Sequence, residues 1–369
     1  MLAFFLKADH PSDPLPSVKK DTMTITKTKY FVKNRDHFNC VFIGDSRTFQ
    51  AIDPQVIDHF LGTSSYNLGG AANWFETQYA QLSDILPTLS QDTIVVWSIG
   101  HNNFASPYNY VTASYPLRWS QLLLYWRYGF SWNELKGNFF TYHLIGPYAR
   151  WIPGLSVYKA RTDYYEALKE KIDLPVVSPH ADFPKHKTEV RQMPNFFKFS
   201  IVYREMMENK GVSKVSTVTG GDKITGALIY KNRGVLLLME LDPEYFLQKK
   251  MEEERLPVLE ETFRPDPRYL KLFDAILDLF QKYKIRVVVN EFEYAPYAYG
   301  NSENYEKYNV FMKSIAERVE KRNIPYVRVF RMLFNDDDYY DVNHLNYSGA
   351  EKYSAWLAKA LKTKGFHAV

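Results

Sequence analysis

The chain has 369 residues, 46% apolar and 24% charged, with a net charge of +4. This composition excludes a wholly disordered chain, and the scattered lysines and arginines give no support to nucleic-acid binding. A single cysteine, Cys40, excludes an intramolecular disulfide and a cysteine-based zinc site.

No stretch reaches the roughly 18 apolar residues that a spanning helix needs. The opening Met-Leu-Ala-Phe-Phe-Leu (1–6) is also too short for a signal-peptide core. It is either the end of a membrane anchor or a frayed start. Residues 7–36 are polar, carry Pro11, Pro14 and Pro16, and read as a linker or arm. Cys40-Val41-Phe42-Ile43 is an apolar run ending in Gly44-Asp45-Ser46, the pattern of a buried parallel strand entering a loop. Asp53 caps a helix that opens at Pro54 and runs to about residue 61. A short strand over 65–68 ends at Gly69-Gly70, a helix follows over about 74–86, and a strand over 93–99 ends at Gly100.

The same alternation returns near the C-terminus. Leu272, Phe273, Ile276, Leu277 and Phe280 form a 3.6-residue stripe that predicts a helix over about 268–283. A strand over 286–289, a helix over about 303–322, a strand over 326–330 and a helix over about 348–362 complete the chain. Strands alternating with helices imply a parallel sheet covered on both faces, and right-handed crossovers make five strands, doubly wound, the simplest arrangement.

Between the halves lies a long insertion. Its first part is rich in aromatics, from Tyr115 through Trp119 and Trp126 to Tyr142, and its later part contains a hairpin pattern over 226–239 with a turn at Lys231-Asn232-Arg233-Gly234. The insertion reads either as a cap over the carboxyl end of the sheet or as a separately packed subdomain. The chain thus divides into an arm or anchor stub (1–36), a core (37–104 plus 266–369) and an insertion (105–265).

Ligands bind outside the carboxyl ends of the strands in an open parallel sheet. Three loops at those ends are chemically loaded: Gly44-Asp45-Ser46-Arg47, Asn67-Leu68-Gly69-Gly70 and Gly100-His101-Asn102-Asn103. Asp341-Val342-Asn343-His344 precedes the last helix. Acyl transfer needs these groups: a serine hydroxyl, a base to take its proton, an acceptor to hold that base, and donors for the oxyanion. Asp341 and His344 stand three residues apart, so one loop can present both to Ser46. Candidate oxyanion donors are the Ser46 backbone N–H, a backbone N–H of the second loop and the Asn102 amide. Each motif alone has a bland reading as a turn or a helix cap; their common placement at strand ends is what points to a site.

The set resembles the SGNH (GDSL-type) hydrolase superfamily over about 39–104 and 268–362. The resemblance implies a three-layer α/β/α, flavodoxin-like core with a five-stranded parallel sheet, interrupted here by the long insertion. It also implies Ser46 as nucleophile, His344 as general base, Asp341 as its partner, Asn102 in the oxyanion hole and no cofactor. Gly69, Gly70 or Ala72 would supply the second-loop donor. Where the family has an aspartate in the third block this chain has Asn103, a change that concerns loop hydrogen bonding more than chemistry.

Arg47 is a candidate contact for an anionic substrate group or half of a structural ion pair, and His101 either lines the pocket or sits exposed beside Asn102. Asp336-Asp337-Asp338 lacks the glycine and terminal glutamate of a calcium loop and reads as a solvated acidic turn. The remaining histidines show no metal spacing. The expected activity is acyl-ester hydrolysis or O-acyl transfer on a cell-surface glycan, polymer or lipid ester. The long insertion and Gly-Asp-Ser-Arg start are similar to envelope proteins that modify such polymers, which favours an extracytoplasmic location and admits a membrane-protein partner. The competing reading is an idle glycan- or partner-binding protein on the same scaffold.

Overall fold

The computed structural model of the chain describes residues 22–70, 73–104, 115–139, 143, 265–299, 302–329, 333–339 and 342–367. It is an α/β protein with a five-stranded, all-parallel sheet in the order β2-β1-β3-β4-β5. The strands are β1 (Cys40–Ile43), β2 (Ser65–Asn67), β3 (Ile94–Ile99), β4 (Arg286–Glu291) and β5 (Tyr326–Arg328). The helices are α1 (Thr22–Lys33), α2 (Ser46–Ala51), α3 (Pro54–Leu61), α4 (Phe75–Ile85), α5 (Trp119–Tyr128), α6 (Trp132–Phe139), α7 (Pro267–Tyr283), α8 (Ser302–Glu320) and α9 (Tyr347–Thr363).

Successive side chains of a strand point to opposite faces, so each strand feeds two cores. Val41, Ile43, Val95, Trp97, Val287 and Val289 join one cluster with α1, α4, α7 and α8. Cys40, Phe42, Ile94, Val96, Val288 and Val327 join the other, with α3 and α9. The apolar stripe of α7 is buried as its spacing predicts, and Asp266 caps it by accepting from the Arg268 backbone N–H at 2.8 Å. Asp53 caps α3 in the same way, and Gly62 ends it in the left-handed conformation.

Four expectations are corrected. Residues 22–33 are not part of a linker: they form α1, whose Ile25, Tyr30 and Phe31 are buried and whose Phe31 and Tyr30 rings pack on Phe38 and Tyr66 beside the sheet edge. Ser46 and Arg47, expected in the loop after the first strand, open the helix over 46–51. β4 runs two residues further than its apolar run and carries the buried polar pair Asn290 and Glu291 at its carboxyl end. Strand β5 is shorter than expected.

The described residues between 115 and 139 pack along the flanks of α4 and α7. The Tyr125 hydroxyl donates to the Glu76 carbonyl at 2.5 Å, Tyr115 donates to Asp84 at 2.7 Å, and the Phe130 ring meets Tyr269. Arg268 bridges Glu134 of α6 and Asp266, each at 2.6 Å. Both the hairpin pattern over 226–239 and most of the segment read as a cap lie outside the described residues.

Candidate active site

The carboxyl ends of β1 and β3 are neighbours, since Ile43 pairs with Trp97. Their loops are therefore packed together. Asp45 opens α2 as its N-cap, accepting from the Arg47 backbone N–H at 3.0 Å, and pairs with the Arg47 guanidinium at 2.5 Å. Asn103 closes the arrangement: its Oδ1 accepts from the Gly100 N–H at 2.8 Å and from Arg47 at 3.1 Å, while its Nδ2 donates to Asp45 at 3.1 Å. The asparagine thus does what an aspartate could not, because one end of it donates to a carboxylate. Burial pushes the Asp45 carboxyl up, but the charge and hydrogen bonds of Arg47 outweigh it and hold Asp45 below the ordinary carboxylate range. Gly100 is required by contact, because a methyl group there would overlap the Arg47 guanidinium.

Ser46 stands on this frame at the first position of α2. Its Oγ lies 2.8 Å from Nε2 of His344, which enters from the loop before α9. That loop is anchored by Asn346, which caps α9 by accepting from the Gly349 N–H at 2.9 Å and donates to the Asp337 carbonyl at 2.7 Å. Asn102 lies in the 3-10 turn His101–Phe104, and its amide oxygen is buried without a hydrogen-bond partner. Ser46, Asn102 and His344 are half-buried, whereas Asp45, Arg47, His101 and Asn103 around them are buried. The accessible members of the frame are thus the ones suited to acyl chemistry.

The second loop is held from several sides. Asn67 donates to the carbonyls of Thr48 and Ile52 at 2.7 and 2.9 Å, tying β2 to α2. Its Oδ1 accepts from the Gly69 N–H at 2.9 Å, and the Gly70 N–H donates to the Gly44 carbonyl at 3.2 Å. Both glycine N–H groups named as oxyanion donors, those of Gly69 and Gly70, therefore make hydrogen bonds within the fold. Ala72 lies outside the described residues, as does Asp341.

The two candidate substrate contacts are both buried, and Arg47 makes the structural ion pair that is its alternative reading. Arg47 is 2% exposed and locked to Asp45 and Asn103, so it supports the loops rather than facing a ligand. His101 is also 2% exposed, with its ring against Tyr294 and Tyr308. Burial, and then the Arg47 charge, push its imidazole down to about 3. In the acidic turn, Asp338 is buried and paired with Lys352 at 2.8 Å. No group of His, Cys, Asp or Glu that could hold a metal ion occurs among the described residues.

Several residues at the site escape sequence reasoning. Asn73 donates to the Gly44 carbonyl at 3.0 Å and to Gln81 at 3.1 Å. Glu291 accepts from Tyr308 and Tyr326, each at 2.6 Å, and lies 3.3 Å from Arg328. The signal for Glu291 was its place: two residues past an apolar run and still within the buried strand, its charge must find partners. Asn73 carried no comparable mark.

A scan against protein-family models finds none that matches the chain, and a search of curated proteins finds no match either.

Proposed function

We propose that the protein is a serine-dependent acyl-ester hydrolase or O-acyltransferase of the SGNH type, on a three-layer, flavodoxin-like α/β/α core. The observation that carries this reading is the 2.8 Å approach of His344 Nε2 to Ser46 Oγ, between residues 298 positions apart in the chain. A hydroxyl at hydrogen-bond distance from an imidazole is the arrangement that nucleophilic catalysis requires.

In this mechanism Ser46 Oγ attacks the ester carbonyl as His344 Nε2 takes its proton. Asp341, three residues before His344, orients the imidazole. The Ser46 N–H, at the open first turn of α2, and the Asn102 amide receive the oxyanion. His344 then returns the proton to the leaving alcohol, and an acyl-Ser46 intermediate remains. Water resolves it in a hydrolase; a sugar or polyol hydroxyl resolves it in a transferase, with His344 as base in either case. A cell-surface glycan, polymer or lipid ester is the proposed substrate class, in keeping with the resemblance to envelope enzymes.

The test is intact-mass labelling with a fluorophosphonate probe together with hydrolysis of p-nitrophenyl acetate. Wild type labels once; Ser46→Ala does not label, and both Ser46→Ala and His344→Ala lose esterase activity by about ten-thousand-fold or more. A folded wild type that neither labels nor hydrolyses the ester would instead support an idle binding protein.

A further inference from the structure

Lys27 is a charged residue with no exposed surface, on the helix that the sequence presents as a polar arm. Its ammonium donates to the Gly69 carbonyl and sits 4.3 Å from the centre of the Phe49 ring. Burying an ammonium is costly unless the group is paired. Here both of these contacts belong to the candidate active site: Gly69 is in the second loop, and Phe49 lies one turn after Ser46 on α2.

The Gly69–Gly70 peptide transmits the contact. Its carbonyl takes the Lys27 ammonium, and its N–H donates to the Gly44 carbonyl at 3.2 Å, two residues before Ser46. A cation on the carbonyl polarises the peptide and strengthens the bond made by its N–H. The rest of α1 grips the same loop. The Thr24 side chain occupies the space beside Gly70, and Thr28 Oγ1 accepts from Gln81 at 3.0 Å. Gln81 in turn accepts from Asn73 at 3.1 Å, and Asn73 donates to the Gly44 carbonyl.

We infer, on the acyl-transfer reading of Ser46, that Lys27 is a positioning residue for the nucleophile, acting through the Gly69–Gly70 peptide and the Phe49 ring. It touches no reacting atom. It fixes the loop on which Gly44 rests and the helix that Ser46 opens, and so holds Ser46 Oγ in register with His344. Misplacing a reacting group by about 1 Å can cost a hundredfold in rate.

Lys27→Met keeps the length of the stem and removes the ammonium. With circular dichroism confirming the fold, the limiting rate of fluorophosphonate labelling falls about ten- to a hundredfold while the half-saturating probe concentration holds. Lys27→Gln, an uncharged donor, recovers part of the rate. Hydrogen exchange at the Gly70 amide speeds up in Lys27→Met, because the Gly69–Gly70 peptide that carries this N–H is no longer held. A lysine that only fills space would shift the melting temperature and leave the labelling rate of folded protein unchanged; that result overturns the inference. If Lys27→Met does not fold, the rate and Gly70 exchange of Lys27→Gln decide by the same criteria. If wild type does not label, the acyl-transfer reading falls with it, whereas unlabelled wild type has no bearing on Gly70 exchange, which then tests the Lys27 contact separately: unchanged exchange removes it.

Discussion

Arg47 and Asn103 show how a motif residue near the proposed nucleophile, Ser46, can serve the frame of the loops. Arg47 is buried against Asp45 at 2.5 Å, so truncating it strands an unpaired carboxylate. Arg47→Ala costs about 3–5 kcal/mol in urea denaturation. A substrate contact at the surface would have left stability unchanged and raised KM alone. Asn103→Asp replaces a donor to Asp45, now at 3.1 Å, with a second carboxylate. Below the carboxylate range the new group is protonated and can still donate; above it, two negative charges face each other. The stability gap between Asn103→Asp and wild type therefore widens as pH rises from about 3 to 7, which urea melts across that range measure.

Helix α1 carries the clearest case of tertiary context overriding local pattern. Its buried face includes Thr24, Thr26, Lys27 and Thr28 beside Ile25, Tyr30 and Phe31, so no apolar stripe marks it out. Its threonines are weak helix formers; what holds it is packing, through Phe31 on Phe38 and Tyr30 on Tyr66. Phe31→Ala costs about 3–5 kcal/mol in thermal or urea unfolding; a residue of a loose arm would cost under about 0.5. The other elements were readable because their residues need no distant partner to declare themselves. The Val287–Val289 run, the Leu272–Phe280 stripe and the Asp53-Pro54 cap each announce an element locally. Ser46 and His344 were readable in the same way, from Gly-Asp-Ser after a strand and Asp-x-x-His before a helix. The commitments of the Gly69 and Gly70 N–H groups were not, because backbone hydrogen bonds between loops leave no trace in residue type. α2 was hidden by its length, six residues directly after a glycine turn.

The assembled fold also fixes how its stability responds to pH. His101 is held neutral, its value lowered from 6.5 to about 3 by burial and then by Arg47. Between those values the unfolded chain takes up a proton that the folded one refuses. Stability from this group is therefore fully present above about 6.5 and is lost as pH falls toward 3. The slope is about 1.4 kcal/mol per pH unit for one proton. Glu291 acts in the opposite sense, since burial raises its carboxyl against the pull of Arg328, Tyr308 and Tyr326. His101→Phe flattens the fall in unfolding free energy between pH 6 and 4 by about one proton; an unchanged slope would mean that the folded protein protonates His101 as readily as the unfolded chain.

The sheet has a taper whose effect lies outside the molecule. β3 and β4 at its centre have six residues each, while β2 and β5 at its two edges have three each. An edge strand offers unpaired N–H and C=O groups to any extended chain that approaches. Three residues offer too few to seat another copy's strand, and at one edge the rings of Tyr30 and Phe31 crowd Tyr66 of β2. Tapering thus guards the domain against edge-to-edge aggregation while leaving its inner strands β1 and β3 to carry the loops on which Ser46 and Asn102 are displayed.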